Sequence, residues 1–270
     1  MKTVLLVDAD YVVYSLSCAL EQNVRWPNGI WTKFAGEDEA DVALERYFAK
    51  MVRETGADEV VVCFSDMNGN YRKDFFPGYK GNRSTEEGDK YLPVIYYYMK
   101  GWLNSKYESV TREKLEADDC IGILMTKESY YRGWKKVMAS VDKDFRTIPN
   151  AWFFDLGNRD KGLQWISRED ADAFFYKQVL MGDNVDGIPG CPGIGAKTAD
   201  KVLKGKRSST AIWTAIVEQY AKKALDEDYA ILNARLVRIL RSEDYDFNNK
   251  CPILWEPEKR VEVKDETDIH

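Results

Sequence analysis

The sequence contains one histidine in 270 residues, His270 at the last position. This scarcity excludes most Ser–His–Asp and Cys–His catalysis, histidine general bases and histidine-ligated zinc sites. The five cysteines are odd in number and form no CxxC pair, which argues against a disulfide framework or a cysteine zinc site. We interpret them as reduced packing residues.

Long hydrophobic runs are also absent. No apolar segment approaches the roughly 20 residues that a membrane span needs. The opening MKTVLLVDAD reaches an acidic residue too early for a secretion signal. The sequence therefore predicts a cytoplasmic protein without a membrane partner, and we expect a monomer.

Carboxylate is plentiful, and it is a hard ligand that suits Mg²⁺ or Mn²⁺. The 45 acidic and 39 basic residues give a net charge of −6, which at first disfavours a nucleic-acid partner. If nine of the acids belong to a metal site, the rest of the chain has more basic than acidic side chains. The acidic balance therefore does not exclude DNA.

The segment 181–200 reads MGDNVDGIPGCPGIGAKTAD and joins an acidic pair to a glycine- and proline-rich turn. Asp183 and Asp186 are spaced so that both carboxylates can face one way at a helix end. Residues 196–203 have the pattern of a new helix, whose N terminus offers amides to a phosphate. A plain loop is the alternative for any single GxG, but the whole string predicts a helix-hairpin-helix motif over 183–203. The residues expected to bind DNA there are Gly190, Gly193, Gly195, Lys197, Thr198 and Lys201.

Strands alternate with helices over the first part of the chain. Short apolar runs at 3–7, 59–64, 136–141 and 152–154 predict buried strands. From residue 167 the pattern is almost entirely helical. We therefore predict an α/β fold with a central, mostly parallel sheet flanked by helices. Its predicted domains are an α/β core over residues 1–165 and a helical DNA-binding part over residues 166–270.

Acidic residues follow three of the predicted strands, at Asp8, Asp66 and Asp142. In a parallel sheet these strand ends share one edge, where ligands bind. More acids stand in LEADD at 115–119 and in SVDKDF at 140–145. Helix capping is the alternative for the LEADD acids, but like charges that converge on one edge repel each other without a cation. Two divalent ions best explain nine carboxylates: Asp8, Asp66, Glu116, Asp118, Asp119, Asp142, Asp144, Asp183 and Asp186.

Two hard ions suit the hydrolysis of a phosphodiester, because they clamp the attacking and leaving oxygens. The segment 71–83, YRKDFFPGYKGNR, is basic and rich in aromatic residues. Its rings could stack on unpaired bases. We predict DNA contacts at Arg72, Lys73 and Tyr79. A surface charge run with core aromatic residues is the alternative interpretation.

These motifs together resemble the 5′ nuclease superfamily, the flap endonucleases and 5′ nuclease domains of bacterial polymerases. The matching strings are VDAD, FSD, PGYKGNR, LEADD, SVDKDF and the hairpin segment, which stand in the family's order from residue 7 to about 203. The phrases SVDKDFRTIPN and ARLVRIL look most like the small bacteriophage 5′–3′ exonucleases. The resemblance implies a PIN-like nuclease core and a helix-3-turn-helix form of the hairpin motif.

The resemblance also implies a chemistry. It implies an enzyme that uses two Mg²⁺ ions, or Mn²⁺ in their place, and that releases 5′-phosphorylated products from duplex DNA with 5′ ends, flaps or RNA primers. Residues 67–106 would form an arch over the site, with Lys80 and Arg83 at its base touching the scissile phosphate. Backbone carbonyls around 190–194 could hold K⁺. A phage-encoded protein of this kind would act in the host cytoplasm.

Two alternatives stay open at this point. A PIN-type ribonuclease has a similar acidic core but does not need the hairpin. A non-catalytic DNA-binding module would explain the hairpin but not the clustered acids, which would repel DNA without purpose.

Overall fold

The computed structural model describes residues 1–81 and 92–258. The predicted catalytic residue Arg83 and part of the predicted arch lie outside these residues. The chain divides into two compact units: a sheet unit, Met1–Asp172 with Ile239–Ile253, and a helical unit, Ala173–Arg238 with the described residues from Leu254 onward. The domain boundary predicted at residue 165 stays a prediction.

The described residues form the following elements. The strands are β1 (Thr3–Asp8), β2 (Gln22–Arg25), β3 (Trp31–Phe34), β4 (Glu59–Cys63), β5 (Glu108–Val110), β6 (Lys135–Ser140), β7 (Ala151–Asp155), β8 (Leu163–Ile166), β9 (Tyr245–Asp246) and β10 (Cys251–Pro252). The α-helices are α1 (Ala9–Leu20), α2 (Glu37–Thr55), α3 (Tyr71–Phe75), α4 (Tyr96–Lys106), α5 (Ala117–Thr126), α6 (Arg168–Met181), α7 (Ala196–Leu203), α8 (Ser209–Ala221) and α9 (Glu227–Val237).

A six-stranded sheet with the order β5-β4-β1-β6-β7-β8 organises the sheet unit. Its pairs are parallel except β7 with β8, which are antiparallel. The central strand β1 is apolar on both faces, as expected for a strand that is covered on both sides. This arrangement confirms the predicted α/β fold with a central, mostly parallel sheet.

Helices cover both faces of the sheet, because successive side chains of β1 point to opposite sides. Val4 and Leu6 pack in one buried cluster with residues of α5, whereas Leu5 and Val7 pack in a second cluster with residues of α1, α2 and α4. The strands are thereby fixed between two apolar layers. The carboxyl ends of β1, β4 and β6 lie at one edge of the sheet.

The helical unit has its own core. Tyr220 of α8 is fully buried and donates a hydrogen bond to the carbonyl of Val179 on α6 at 2.6 Å. Phe175 and Trp213 pack against Trp255, with ring centroids 5.4 and 5.1 Å apart. These contacts confirm the predicted helical C-terminal part. Among the residues described, no helix has both the length and the apolar character that a bilayer crossing requires.

Several elements differ from the sequence prediction. The β2–β3 hairpin was not predicted, since all of its residues are exposed and show no alternation of apolar and polar side chains. The sequence pattern is helical from 117 to 130, but α5 ends at Thr126. Ile239–Ile253 belongs to the sheet unit, where the backbone N–H of Leu240 donates to Asp119 at 3.1 Å.

Candidate metal centre and hairpin

Strand ends bring three of the predicted acids to one edge of the sheet. Asp8 closes β1 and pairs in register with Cys63 of β4, and β6 lies on the other side of β1. Asp66 follows β4 and Asp142 follows β6. The parallel topology therefore places these three carboxylates on the edge where α/β proteins bind ligands.

A buried serine links two of these acids. Ser140 donates its hydroxyl hydrogen to Asp8 Oδ2 at 2.9 Å and accepts the backbone N–H of Asp142 at 3.1 Å. Burial raises the pKa of Asp8 to about 6, and the neighbouring carboxylates of Asp10 and Asp142 add to this, although the Ser140 hydrogen bond opposes it. A negative charge at Asp8 is therefore poorly compensated by the protein alone. Sequence reasoning missed Ser140, because a serine at a strand end carries no distinctive signal.

Asp10 is a second residue that sequence reasoning left out of the site. It stands in the first turn of α1, and its Oδ2 accepts the backbone N–H of Ser65 at 2.8 Å. The hydroxyl of Ser65 in turn accepts the N–H of Ala117, the first residue of α5, at 3.0 Å. Burial raises the pKa of Asp10. The signal was available in VDAD, since an acid in the first turn of a helix after a parallel strand faces the same edge.

Three acids cluster at the start of α5. Carboxylate oxygens of Glu116, Asp118 and Asp119 lie within 4.8 Å of one another. Burial raises the pKa of Asp118 well above its usual range, and the charges of Asp119 and Glu116 add to the effect. Burial acts the same way on Glu116, but the cations Arg72 and Lys80 outweigh it and lower the pKa of Glu116 to about 2. The cluster therefore holds an ionised Glu116 beside Asp118, whose ionisation is disfavoured unless more positive charge is brought close to it.

Arg72 is buried in this cluster, with 2% of its surface exposed. Its guanidinium binds both oxygens of Asp119, at 2.7 and 2.8 Å, and also Glu116 at 3.2 Å. The prediction that Arg72 contacts DNA is wrong, because the side chain is committed to these carboxylates. Asp119 also accepts the N–H of Leu240, so both of its oxygens accept hydrogen bonds, and its role as a metal ligand stays a prediction.

Tyr79 and Lys80 also bind the Glu116 carboxylate. The hydroxyl of Tyr79 donates to Glu116 Oε2 at 2.7 Å, and the Lys80 ammonium forms an ion pair with Glu116 Oε1. The Tyr79 ring is 3% exposed, so its predicted role in stacking on DNA bases is wrong. Lys73 is exposed, as a DNA contact requires.

The backbone of Lys80 adopts an unfavourable conformation, and contacts of its side chain hold the ammonium in place. Its φ of 54° lies in the left-handed region, which costs a residue with a side chain roughly 1–2 kcal/mol. Its ammonium lies 5.1 Å from the centroid of the Tyr79 ring. The ion pair and the ring contact together hold the cation at the acidic edge.

The remaining acids of the sheet unit are fixed by backbone groups. Asp66 accepts the N–H groups of Asn68 and Lys114, at 2.9 and 2.8 Å, and these hydrogen bonds lower its pKa. Asp142 accepts the N–H of Asp144 at 2.8 Å. The structure therefore brings Asp66 and Asp142 to the edge in restrained positions.

The hairpin of the helical unit is closed by two pairs of contacts. Asp183 and Ile188 exchange backbone hydrogen bonds at 2.9 and 2.7 Å. Gly182 and Gly190 have positive φ and pack against each other, so that a Cβ on Gly182 would lie 2.5 Å from the nitrogen of Gly190. Side chains at these two positions would force the chains apart.

Gly190 is held by a residue that sequence reasoning missed. Its N–H donates to Oδ1 of Asn233 at 2.8 Å, and Asn233 is fully buried on α9. The prediction that Gly190 contacts DNA is wrong, because the glycine is buried and its amide is used. Asn233 lies 43 residues further along the chain, so no local pattern could have indicated it.

The exposed part of the motif is the start of α7. Gly195 precedes its first turn, and Lys197, Thr198 and Lys201 are exposed, as is Gly193 before them. Asp183, whose Oδ1 accepts the N–H of Val185 at 2.8 Å, and Asp186 also belong to the helical unit. Their predicted role as ligands of a second ion stays a prediction.

The buried ion pair predicts a large loss of stability when one partner is removed. Arg72→Ala would leave Asp119 buried without its cation, so we expect the free energy of unfolding to fall by about 3–5 kcal/mol. The measurement is urea unfolding, with Arg46→Ala on the exposed surface of α2 as the matched control, expected within about 0.5 kcal/mol of wild type. A loss below about 1 kcal/mol for Arg72→Ala would contradict this assignment.

The raised pKa of Asp8 predicts how the metal-free protein responds to pH. The folded carboxyl has a pKa of about 6 against an ordinary value of 3.8. The folded state therefore binds this proton more tightly, and the free energy of unfolding falls as the pH rises from about 4 to above 6. In EDTA, Asp8→Asn should remove up to about 3 kcal/mol of this fall. Asp160→Asn, an exposed control, should keep the wild-type slope. Equal slopes for Asp8→Asn and wild type would show that Asp8 does not cause the fall in the free energy of unfolding.

Comparison with known proteins gives two family matches. The model described as the 5′–3′ exonuclease N-terminal resolvase-like domain matches residues 3–161. The model described as the 5′–3′ exonuclease C-terminal SAM fold matches residues 171–258. The two matches cover both the sheet unit's main segment and the helical unit.

Individual relatives agree with these matches. An exodeoxyribonuclease of Enterobacteria phage T3 is 30% identical, covering 95% of this chain and 93% of that protein. An exonuclease of Escherichia phage T7 is 28% identical, covering 95% and 94%. A bacteriophage T5 D15 flap endonuclease, solved as a pseudo-enzyme-product complex with DNA and metal ions, has a TM-score of 0.65 at 19% identity, covering 88% of this chain and 89% of that chain. This last likeness shows the fold.

Proposed function

Because the chain belongs to the 5′–3′ exonuclease family and is therefore a nuclease, we propose that it hydrolyses phosphodiester bonds of DNA from 5′ ends with divalent metal ions. The observation that carries this proposal is the carboxylate cluster of Glu116, Asp118 and Asp119 beside the acids of the strand ends. Family membership sets aside the alternative of a non-catalytic DNA-binding module.

The donors at this edge fit Mg²⁺. They are carboxylate oxygens, which Mg²⁺ prefers, and Mn²⁺ accepts the same donors. The raised pKa values of Asp8 and Asp118 indicate that the protein compensates their negative charges poorly, and a nearby divalent cation would favour the ionised forms. When bound, such ions polarise phosphoryl oxygens and lower the pKa of water.

Lys80 supplies a second source of positive charge for the reacting phosphate. Its ammonium is held by Glu116 at the acidic edge, so a phosphate entering there meets a cation already in place. Stabilisation of this kind acts on charge that develops in the transition state. We propose that Arg83 shares this role and that hydrolysis leaves the phosphate on the 5′ end of the product.

The finer assignments rest on the resemblance of the motifs. We propose a two-ion mechanism in which Asp142, Asp144, Asp183 and Asp186 supply ligands beyond those of the first ion. The resemblance also supports a K⁺ site among the carbonyls at 190–194, action on flaps and RNA primers, and a monomeric enzyme.

Duplex binding through α7 makes a separate prediction. Lys197 and Lys201 are exposed on the helix that follows the hairpin, so they can meet backbone phosphates. Changing both to alanine should weaken duplex affinity and lower the slope of log affinity against log salt by about one unit per lost contact. Fluorescence anisotropy over a salt series measures this, with Lys50→Ala on α2 as the control. An unchanged salt slope in the double variant would remove α7 from the DNA interface.

The substrate preference is tested by a product ladder. Nicked, flapped and blunt duplexes, an RNA-primed duplex and single-stranded RNA are each labelled at the 5′ end and cleaved with Mg²⁺. The proposal expects short labelled products from the DNA duplexes and slow cleavage of single-stranded RNA. Preferential cleavage of the single-stranded RNA would instead support the PIN-type ribonuclease.

A further inference from the structure

A groove lies at the edge of the sheet opposite to the acidic site. β6 and β7 begin there, at Lys135 and Ala151, and the antiparallel strand β8 ends there, at Ile166. The groove encloses a cavity of about 600 Å³. Since β1 spans six residues, about 20 Å separate this edge from the acidic edge, so the groove is distinct from the nuclease site.

Aromatic rings form part of its wall. Trp152 and Trp165 pack edge to face with centroids 5.3 Å apart, and Trp165 is 51% exposed. Tyr131 and Trp134 form a second pair at 4.9 Å. Trp165 is the exposed member of this group, and Tyr131, Trp134 and Trp152 are half-buried. An exposed ring backed by partly buried rings in a concave site is typical of surfaces that bind a partner's side chains.

Cations surround these rings. Arg132 and Arg168 line the groove and are exposed, and neither makes an ion pair or hydrogen bond with any residue that the structure describes. The ammonium of Lys135 lies 4.7 Å from the Trp152 ring centroid. Lys136, by contrast, donates to three backbone carbonyls after and within α5, so it is structural. The groove therefore offers two uncommitted guanidinium groups beside the exposed ring of Trp165.

The basic surface continues beyond the first cavity. A neighbouring cavity of about 660 Å³ shares Arg132 and Arg168 with the first. Its wall includes Lys127, whose ammonium lies 3.7 Å from the centroid of the Phe247 ring. Both guanidinium groups thus stand where two cavities meet, which suits an extended ligand with several negative charges.

We propose that this groove binds an acidic peptide segment of a partner protein, with an aromatic side chain of the peptide seated beside Trp165. Carboxylates of the peptide would pair with Arg132 and Arg168, whose planar guanidinium groups suit bidentate binding. Trp165 stands on β8, one of the two outer strands of the six-stranded sheet. An extended peptide fits along such a strand.

Two acids in the groove favour a peptide over a nucleic acid. Glu128 and Glu243 line both cavities. A peptide backbone can donate N–H groups to these carboxylates, and its acidic side chains can be spaced so that they meet the arginines alone. A DNA phosphodiester backbone has no donor and carries a charge at every nucleotide, so it would be repelled. The groove is therefore suited to a mixed ligand with acidic side chains and backbone donors.

The test uses binding rather than cleavage, so that its outcome is independent of the nuclease assignment. The probe is a short fluorescein-labelled peptide with a central phenylalanine flanked by aspartates, titrated with the full chain and followed by anisotropy. We expect saturable binding that weakens with salt. Arg132→Glu with Arg168→Glu should weaken it by about tenfold or more, and Trp165→Ala should also weaken it. Arg46→Glu, an exposed control on α2, should bind as wild type does.

The contradicting outcomes are equally direct. The proposal fails if the peptide does not bind, if a matched peptide with asparagines in place of aspartates binds equally well, or if the double variant retains wild-type affinity. It also fails if a single-stranded oligonucleotide loses as much affinity in the double variant as the peptide does, since the groove would then bind nucleic acid. Cleavage of duplex DNA by the double variant should equal that of wild type.

Discussion

Asp118→Asn is expected to lower the single-turnover rate of DNA cleavage by at least about 10³-fold while leaving duplex affinity within about twofold. Asp118 stands in the three-carboxylate cluster, where burial and the charges of Asp119 and Glu116 raise its pKa. An amide is close in size to the carboxylate but cannot supply the charge that a divalent ion requires. Rapid-quench cleavage of a 5′-labelled duplex and anisotropy with the same duplex measure the two quantities.

Protein stability separates a functional role of Asp118 from a structural one. Because a raised pKa means that the ionised carboxylate opposes folding, metal-free Asp118→Asn should be at least as stable as wild type at a pH of about 8. Asp160→Asn, an exposed matched change, should cleave at the wild-type rate. Near-normal cleavage by Asp118→Asn in Mg²⁺, or loss of activity that follows unfolding, would remove Asp118 from the metal centre.

Lys80→Ala is expected to reduce the single-turnover rate by about 10²–10³-fold with little change in affinity. The ammonium is fixed by Glu116 and lies beside the Tyr79 ring, so it is placed to stabilise charge on the reacting phosphate. Lys80→Arg should retain part of the rate, because it keeps the charge. Lys73→Ala, at an exposed neighbouring position, should act on affinity instead.

The reverse pattern would show that the Lys80 assignment is wrong. A loss confined to affinity would make Lys80 a simple phosphate contact. An unchanged rate would make its ion pair with Glu116 structural.

The sequence predicted the sheet and its acidic edge because both follow from local patterns. Apolar runs identified β1, β4 and β6, and the rule that parallel strands share a carboxyl edge placed Asp8, Asp66 and Asp142 together. The glycine string predicted the hairpin for the same reason. Tight turns of this kind require glycine at particular positions, so they can be recognised from the sequence.

Partnerships between distant residues could not be predicted. Arg72 was interpreted as a DNA contact because it stands in a basic, aromatic segment, yet its partner Asp119 lies 47 residues away. Tyr79 was misread for the same reason, since only the fold brings Glu116 to its hydroxyl. Asn233 reaches Gly190 across 43 residues. A buried polar group is satisfied by the tertiary structure, which charge patterns alone do not reveal.

We expect the carboxylates at the sheet edge to support metal-dependent cleavage from DNA 5′ ends. The most direct measurement is single-turnover cleavage of a 5′-labelled duplex by wild type and Asp118→Asn, in EDTA and after Mg²⁺ is restored. We expect short labelled products with wild type in Mg²⁺, no products in EDTA, and none with Asp118→Asn in either condition. Cleavage by wild type in EDTA, or equal cleavage by both proteins in Mg²⁺, would contradict it.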